Sequence, residues 1–119
     1  MIKWTHKLFK HSDIEDLNQA EGFINIGKIV GNYDNIGLHI SLYCSIRKMN
    51  KSNFQLIIVN HTQIHEENDP LPYAGNNNSF PIHVEKNIKS IEEAKAVADI
   101  KIKEFLISLK NNIDKLLKN

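Results

Sequence analysis

Histidine and cysteine are the residues of this 119-residue chain with the widest chemical repertoire, and their spacing decides how much of it is usable. His39 lies in a run that alternates apolar and polar residues from Leu38 to Arg47, and His61 follows a second apolar run from Phe54 to Val59. A period of two marks a half-buried strand. His39, Ser41, Tyr43, Ser45 and Arg47 therefore share one face, while Leu38, Ile40, Leu42, Cys44 and Ile46 share the other. Pairing Ile46 with Phe54, Cys44 with Leu56 and Leu42 with Ile58 keeps the apolar face whole and sets His39 opposite His61 on the polar one. Two facing imidazoles suit zinc or a pH-sensitive patch, but zinc needs a third and usually a fourth ligand. No spacing here supplies them, so the sequence predicts neither metal nor cofactor.

Carboxylates gather further on, where His61, His65, Glu66, Glu67 and Asp69 lead into a non-periodic stretch over 65–79 that contains Pro70, Pro72 and Tyr73. The alternating ligands and closing glutamate of a calcium loop are missing, as is the second histidine of a helical zinc-protease motif. A solvated acidic loop is the simpler expectation. Cys44 falls between Leu42 and Ile46 on the inward face, where cysteine acts as a small hydrophobe. Gly22, Gly27 and Gly31 are spaced wrongly for a phosphate-binding turn. With no catalytic constellation visible, the chain reads as a protein that is not an enzyme.

The elements that must carry these residues follow from the same patterning. Residues 2–9 suit a short strand, although Trp4, Leu8 and Phe9 fit a helix almost as well. Ser12 with Asp13, Glu15 and Asp16 resembles a capping box with acid in the first helical turn, and Gly22 is a natural stop, so a short helix is expected over 13–20. Strands are expected over 23–30, from Leu38 to Arg47 and from Phe54 to Val59, with a polar loop from Lys48 to Ser52 and an edge strand near 80–84 where Pro81 is tolerated. The clearest element is a helix over 91–117. Ser90 caps it, Glu93 completes the box, and an apolar stripe runs through Ile91, Ala94, Ala98, Ile102, Phe105, Leu109, Ile113 and Leu116. Such a helix is about 40 Å long, against less than about 30 Å for the strands beneath it. It must either overhang the sheet or break near Asn111 and Asn112.

The fold class expected is α+β in one domain over 1–119: an antiparallel sheet of three to four strands, a short N-terminal helix, and a long C-terminal helix on one face. The core should hold Ile26, Leu38, Ile40, Leu42, Leu56, Ile58, Ala98, Ile102, Phe105 and Leu109. Hydrophobic residues at 41% and charged residues at 24% are ordinary globular values. Fifteen basic residues against fourteen acidic ones leave a net charge of +1, which argues against nucleic acid as the main partner. One cysteine, no apolar leader and no long apolar window point to the cytoplasm and away from membranes.

Two resemblances bear on function. The order helix, three antiparallel strands, helix, with Ser90-Ile91-Glu92-Glu93-Ala94-Lys95-Ala96-Val97-Ala98 opening the last element, resembles the double-stranded-RNA-binding domain. That family grips phosphates with lysines at the helix start, where this chain has Glu92 and Glu93; Lys3, Lys7, Lys10, Arg47, Lys48 and Lys51 are the alternative basic residues. The strand meander followed by Ser-Ile-Glu-Glu-Ala-Lys is also similar to small phage and mobile-element proteins. That resemblance implies an inhibitor, anti-defence or immunity protein that works by occluding a partner.

Together these observations predict a non-catalytic binding protein with a protein partner. The alternatives are a nucleic-acid-binding module and a small-ligand-binding protein whose site lies between subunits. The expected binding residues are His39, Tyr43, His61, Glu66, Glu67 and Tyr73. Leu109, Ile113, Leu116 and Leu117, beyond the predicted sheet, are the expected interface of a homodimer.

Overall fold

Five strands follow one another into a single antiparallel sheet, and a helix then returns across one face of it. The computed structural model describes residues 2–8, 15–30, 36–66 and 77–118. The strands are β1 (Lys3–Leu8), β2 (Glu15–Val30), β3 (Ile36–Asn50), β4 (Asn53–Glu66) and β5 (Asn77–Ile88), and the helix α1 spans Ile91–Leu117. Spatial order equals chain order, β1-β2-β3-β4-β5. The α+β class and the long helix on one face are as expected. The sheet, however, has five strands rather than three or four, and among the described residues there is no N-terminal helix.

The segment expected to be helical is part of β2 from Glu15 onward; residues 13 and 14 lie outside the described residues. A helix of eight residues has little stability of its own. The strand gains a ladder on both sides, with Ala20 opposite His6 and Ile46, and Gly22 opposite Trp4 and Cys44. Gly22 is not a helix stop. A Cβ there would meet Ile2 Cγ2 at 2.7 Å and Trp4 Cε3 at 2.8 Å, so the glycine is the space into which Trp4 and Ile2 fold. Lys95 Nζ stands over the Trp4 ring, 5.8 Å from its centroid.

Between β3 and β4 the register is displaced by two residues from the one expected. Ile46 faces Leu56, Cys44 faces Ile58 and Leu42 faces Asn60. The cause is a tighter turn: Asn50 pairs with Asn53, leaving only Lys51 and Ser52 to connect, and the Ser52 N–H donates to Asn50 Oδ1 at 3.4 Å. An even displacement keeps every side chain on its face, so the apolar set is buried as expected while its partners change. His39 consequently lies opposite Gln63, not His61.

β5 departs twice from a regular ladder, between its partners Ile58 and Val59 and between Phe54 and Leu56, and Asn87 takes a positive φ of 64°. α1 is capped as the sequence indicates, with Ser90 Oγ accepting from the Glu93 N–H at 3.1 Å. The reciprocal bond falls one residue earlier than in a standard box: Glu93 Oε2 accepts from the Lys89 N–H at 3.1 Å. The helix is unbroken at Asn111 and Asn112.

The core lies between sheet and helix. Ala20, Ile24, Leu42, Cys44, Ile46, Phe54, Leu56, Ile58 and Ile88 meet Ile91, Ala94, Ala98 and Ile102. Ile26 and Phe105 are partly buried against this cluster, and Ile40 is half-buried. The side chain of Leu38 lies outside the described residues. Leu109, expected in the core, is 37% exposed, beyond the part of α1 that the buried cluster covers among the described residues. No helix among the described residues is long and apolar enough to cross a membrane.

Candidate functional site

Because α1 occupies one face of the sheet, the odd-numbered residues of β3 and β4 stand on the other, and among the described residues no element covers them. The registers place two complete rows across that face. One runs Lys3, Phe23, Tyr43, Val59, Pro81, and the next runs Thr5, Glu21, Ser45, Ile57, Val84. Apolar and aromatic side chains thus form a contiguous patch at the middle of the sheet, with Phe23 48% and Val84 46% exposed. Polar and charged groups rim it.

Tyr43 is the anchor. Its ring centroid stands 4.9 Å from that of Phe23, tilted by 53°, a favourable aromatic geometry. Burial, followed by a hydrogen bond and charge repulsion from Glu21, pushes its hydroxyl above the ordinary tyrosine value; Ser45 and Arg47 pull the other way. The hydroxyl therefore stays protonated and keeps its donor role near neutral pH. Beneath it the sheet is stiffened by side-chain bonds to backbone: Thr5 Oγ1 donates to the Glu21 carbonyl at 3.4 Å, and Ser41 Oγ donates to the His61 carbonyl at 2.8 Å.

Of the expected binding residues, the structure brings three onto this face. Tyr43 is central; His39 and His61 are half-buried on neighbouring rows, offset diagonally instead of facing. Glu66 ends β4, its side chain outside the described residues, as are Glu67 and Tyr73 entirely. Of the loop expected over 65–79, residues 65–66 belong to β4 and 77–79 to β5. Phe23, Ile57, Val59 and Val84 were missed as surface residues because a strand with apolar residues on both faces shows no alternation to read. Among the described residues no three histidine, cysteine or acidic side chains are grouped to hold a metal.

A second feature lies at the β5 edge on the helix side, a cleft of about 270 Å³ lined by Ile82, His83, Lys101, Glu104, Phe105 and Ser108. The irregularity between Ile58 and Val59 inserts Ile82 into β5 and turns His83 toward α1. There His83 Nε2 lies 2.9 Å from Glu85 Oε1, and Lys101 Nζ lies 3.5 Å from Glu104 Oε2. A carboxylate-held imidazole over an apolar floor can hydrogen-bond a small polar group. Pro81, which has no N–H to donate to the ladder, is the one sequence signal of that irregularity.

Cys44 is fully buried and its thiol is pushed up to about 12, mainly by burial and secondarily by the charge of Asp99. Such a thiol is packing, not a nucleophile. The residues expected at a dimer interface are all exposed: Leu109 37%, Ile113 46%, Leu116 73% and Leu117 78%. Set against known protein families, curated proteins and solved structures, the chain matches none of the three.

Proposed function

We propose that the chain is a non-catalytic binding protein that covers, and so occludes, a site on a protein partner through its open sheet face. The observation that carries this reading is the patch of exposed Phe23, Pro81 and Val84 with half-buried Tyr43, Ile57 and Val59, held on a five-stranded scaffold and rimmed by Glu21 and Arg47. A contiguous apolar patch with a polar rim on a rigid surface is the usual form of a protein docking site. Tyrosine and an arginine at its margin are the residue types that carry most binding energy in such patches. The resemblance to small phage and mobile-element proteins points the same way, toward inhibition by coverage.

The test replaces Phe23, and separately Ile100 on the outer side of α1, with a photo-cross-linking amino acid in the producing cell. A discrete protein adduct from position 23, lost when Val84→Lys is added, is expected. Equal adducts from position 100, or survival of the adduct in Val84→Lys, would remove the sheet face as the binding surface.

A second reading, nucleic-acid binding, is favoured by one observation: Lys3 and Arg47 flank the Phe23–Tyr43 pair, so an aromatic platform has cations at two corners. Stacking platforms of this kind hold single strands. Affinity for an oligonucleotide that falls steeply as salt rises supports this reading; no binding at low salt dismisses it.

A further inference from the structure

One stripe of α1 meets two different environments along its length. Over its first half the stripe is sealed by the sheet: Ile91, Ala94, Ala98 and Ile102 are buried. Leu106 is partly buried, and beyond it the same stripe continues uncovered through Leu109, Ile113 and Leu116. The positions Ile102, Leu106, Leu109, Ile113 and Leu116 recur alternately four and three residues apart. That is the spacing of a two-helix seam, in which each side chain inserts between those of a facing helix.

We propose that the second half of α1 pairs with the same segment of a second copy of this chain, running antiparallel about a two-fold axis near Asn111. In that register Leu106 of one copy meets Leu116 of the other, and Leu109 meets Ile113. The two-fold repeats both contacts, and all four layers are apolar. A helix of unrelated sequence would have to match this pattern; a second copy matches it by construction.

The direction follows from the sheet. It occupies the stripe side of α1 over Ile91 to Ile102, so a parallel partner would bring its own sheet into the space already filled. An antiparallel partner places the two sheets at opposite ends of the pair. Flanking the seam, Phe105 and Asn112 are uncharged on one side; on the other, Lys110 approaches its symmetry mate, a repulsion that its pairing with Asp114 at 3.0 Å reduces. The seam from Leu106 to Leu116 is only about 15 Å long. Its area falls among weak interfaces, so the dimer forms only at high protein concentration and dissociates on dilution. The sheet face stays free in this dimer, so the proposal stands independently of what binds there.

Two measurements test it. Light scattering of the wild-type protein at about 200 μM should give a weight-average mass well above the 13.7 kDa of one chain, falling back toward it on dilution. Ile113→Lys with Leu116→Lys should give the single-chain mass with an unchanged helical spectrum, since both positions are exposed in one copy. Independently, a short bis-maleimide should link Asn112→Cys chains to each other but not Lys118→Cys chains. In the antiparallel register the latter positions stand about 20 Å apart along the axis, and Cys44 is buried. A wild-type protein that remains a single chain at that concentration, or Lys118→Cys linking as readily as Asn112→Cys, would overturn the proposal.

Discussion

Substituting Gly22 with alanine should destabilise the protein by unseating Trp4, and the size of the effect can be worked from the contacts. The added methyl would stand 2.7 Å from Ile2 Cγ2, and 2.8 and 2.9 Å from Trp4 Cε3 and Cζ3. Carbon atoms prefer about 3.5–4.0 Å, so the neighbours must retreat by roughly 1 Å. Overpacking of this kind costs about 1–3 kcal/mol, and replacing glycine in a strand returns about 0.5–1 kcal/mol of backbone entropy. Both neighbours sit at the start of the chain, Trp4 in an edge strand that pairs only with β2, so they can yield and the lower part of the range applies. A net loss of about 0.5 kcal/mol is expected from urea unfolding followed by circular dichroism. Trp4 is the only tryptophan, so its emission should shift to the red in the same variant as the ring leaves Gly22 and Lys95. In an Ile2→Ala, Trp4→Ala background the clash is absent, and Gly22→Ala should become neutral or stabilising. An equal loss in both backgrounds would refute the account, because the cost would then not arise from those two side chains.

Cys44 should resist alkylation in the native protein at pH 8 and react only on unfolding, at a rate that tracks stability. Its folded value of about 12 lies above the 9.0 of an unperturbed thiol. Between these values the unfolded state releases the proton and the folded state keeps it, so stability is full below pH 9 and falls as pH rises toward 12. The slope is about 1.4 kcal/mol per pH unit and should be absent from the pH profile of Cys44→Ala; identical alkaline slopes would contradict it. Ser90→Ala should cost about 1 kcal/mol by leaving the Glu93 N–H without its partner, and an unchanged urea midpoint would show the cap to be idle.

The legibility of this fold varied with how local its determinants are. α1 was readable to the residue, because Ser90, Glu93 and a stripe of period 3.6 all lie within one element. The alternation of β3 placed Leu42, Cys44 and Ile46 inside and Tyr43 outside, and both hold. Where two elements must be compared, the sequence was weaker. The β3–β4 register depends on whether Lys48 to Ser52 is loop or strand, and a difference of two residues is invisible to alternation since it leaves every face unchanged. The Ser12 to Gly22 sequence carries helix signals in its caps, and its described part, from Glu15, carries strand signals in its pairing. The ladder to β1 and β3 outweighs the caps, but that ladder exists only once the neighbours are known. The surface patch escaped for a related reason: Ile57 and Val59 sit in an unbroken apolar run, and only the placement of α1 decides which of its faces is covered.

The strict meander has a consequence for how the chain is made. Each strand pairs with the one just synthesised, so the ladders are local in sequence and each hairpin can form as it emerges, the situation associated with rapid folding. The apolar underside of that sheet stays bare throughout, because among the described residues its cover is α1, which follows all five strands. Folding is therefore vectorial for the backbone and postponed for the core: the sheet assembles early, and burial of Leu42, Ile46, Leu56 and Ile58 waits for Ala94, Ala98 and Ile102. Until then the nascent protein displays apolar surface on both faces.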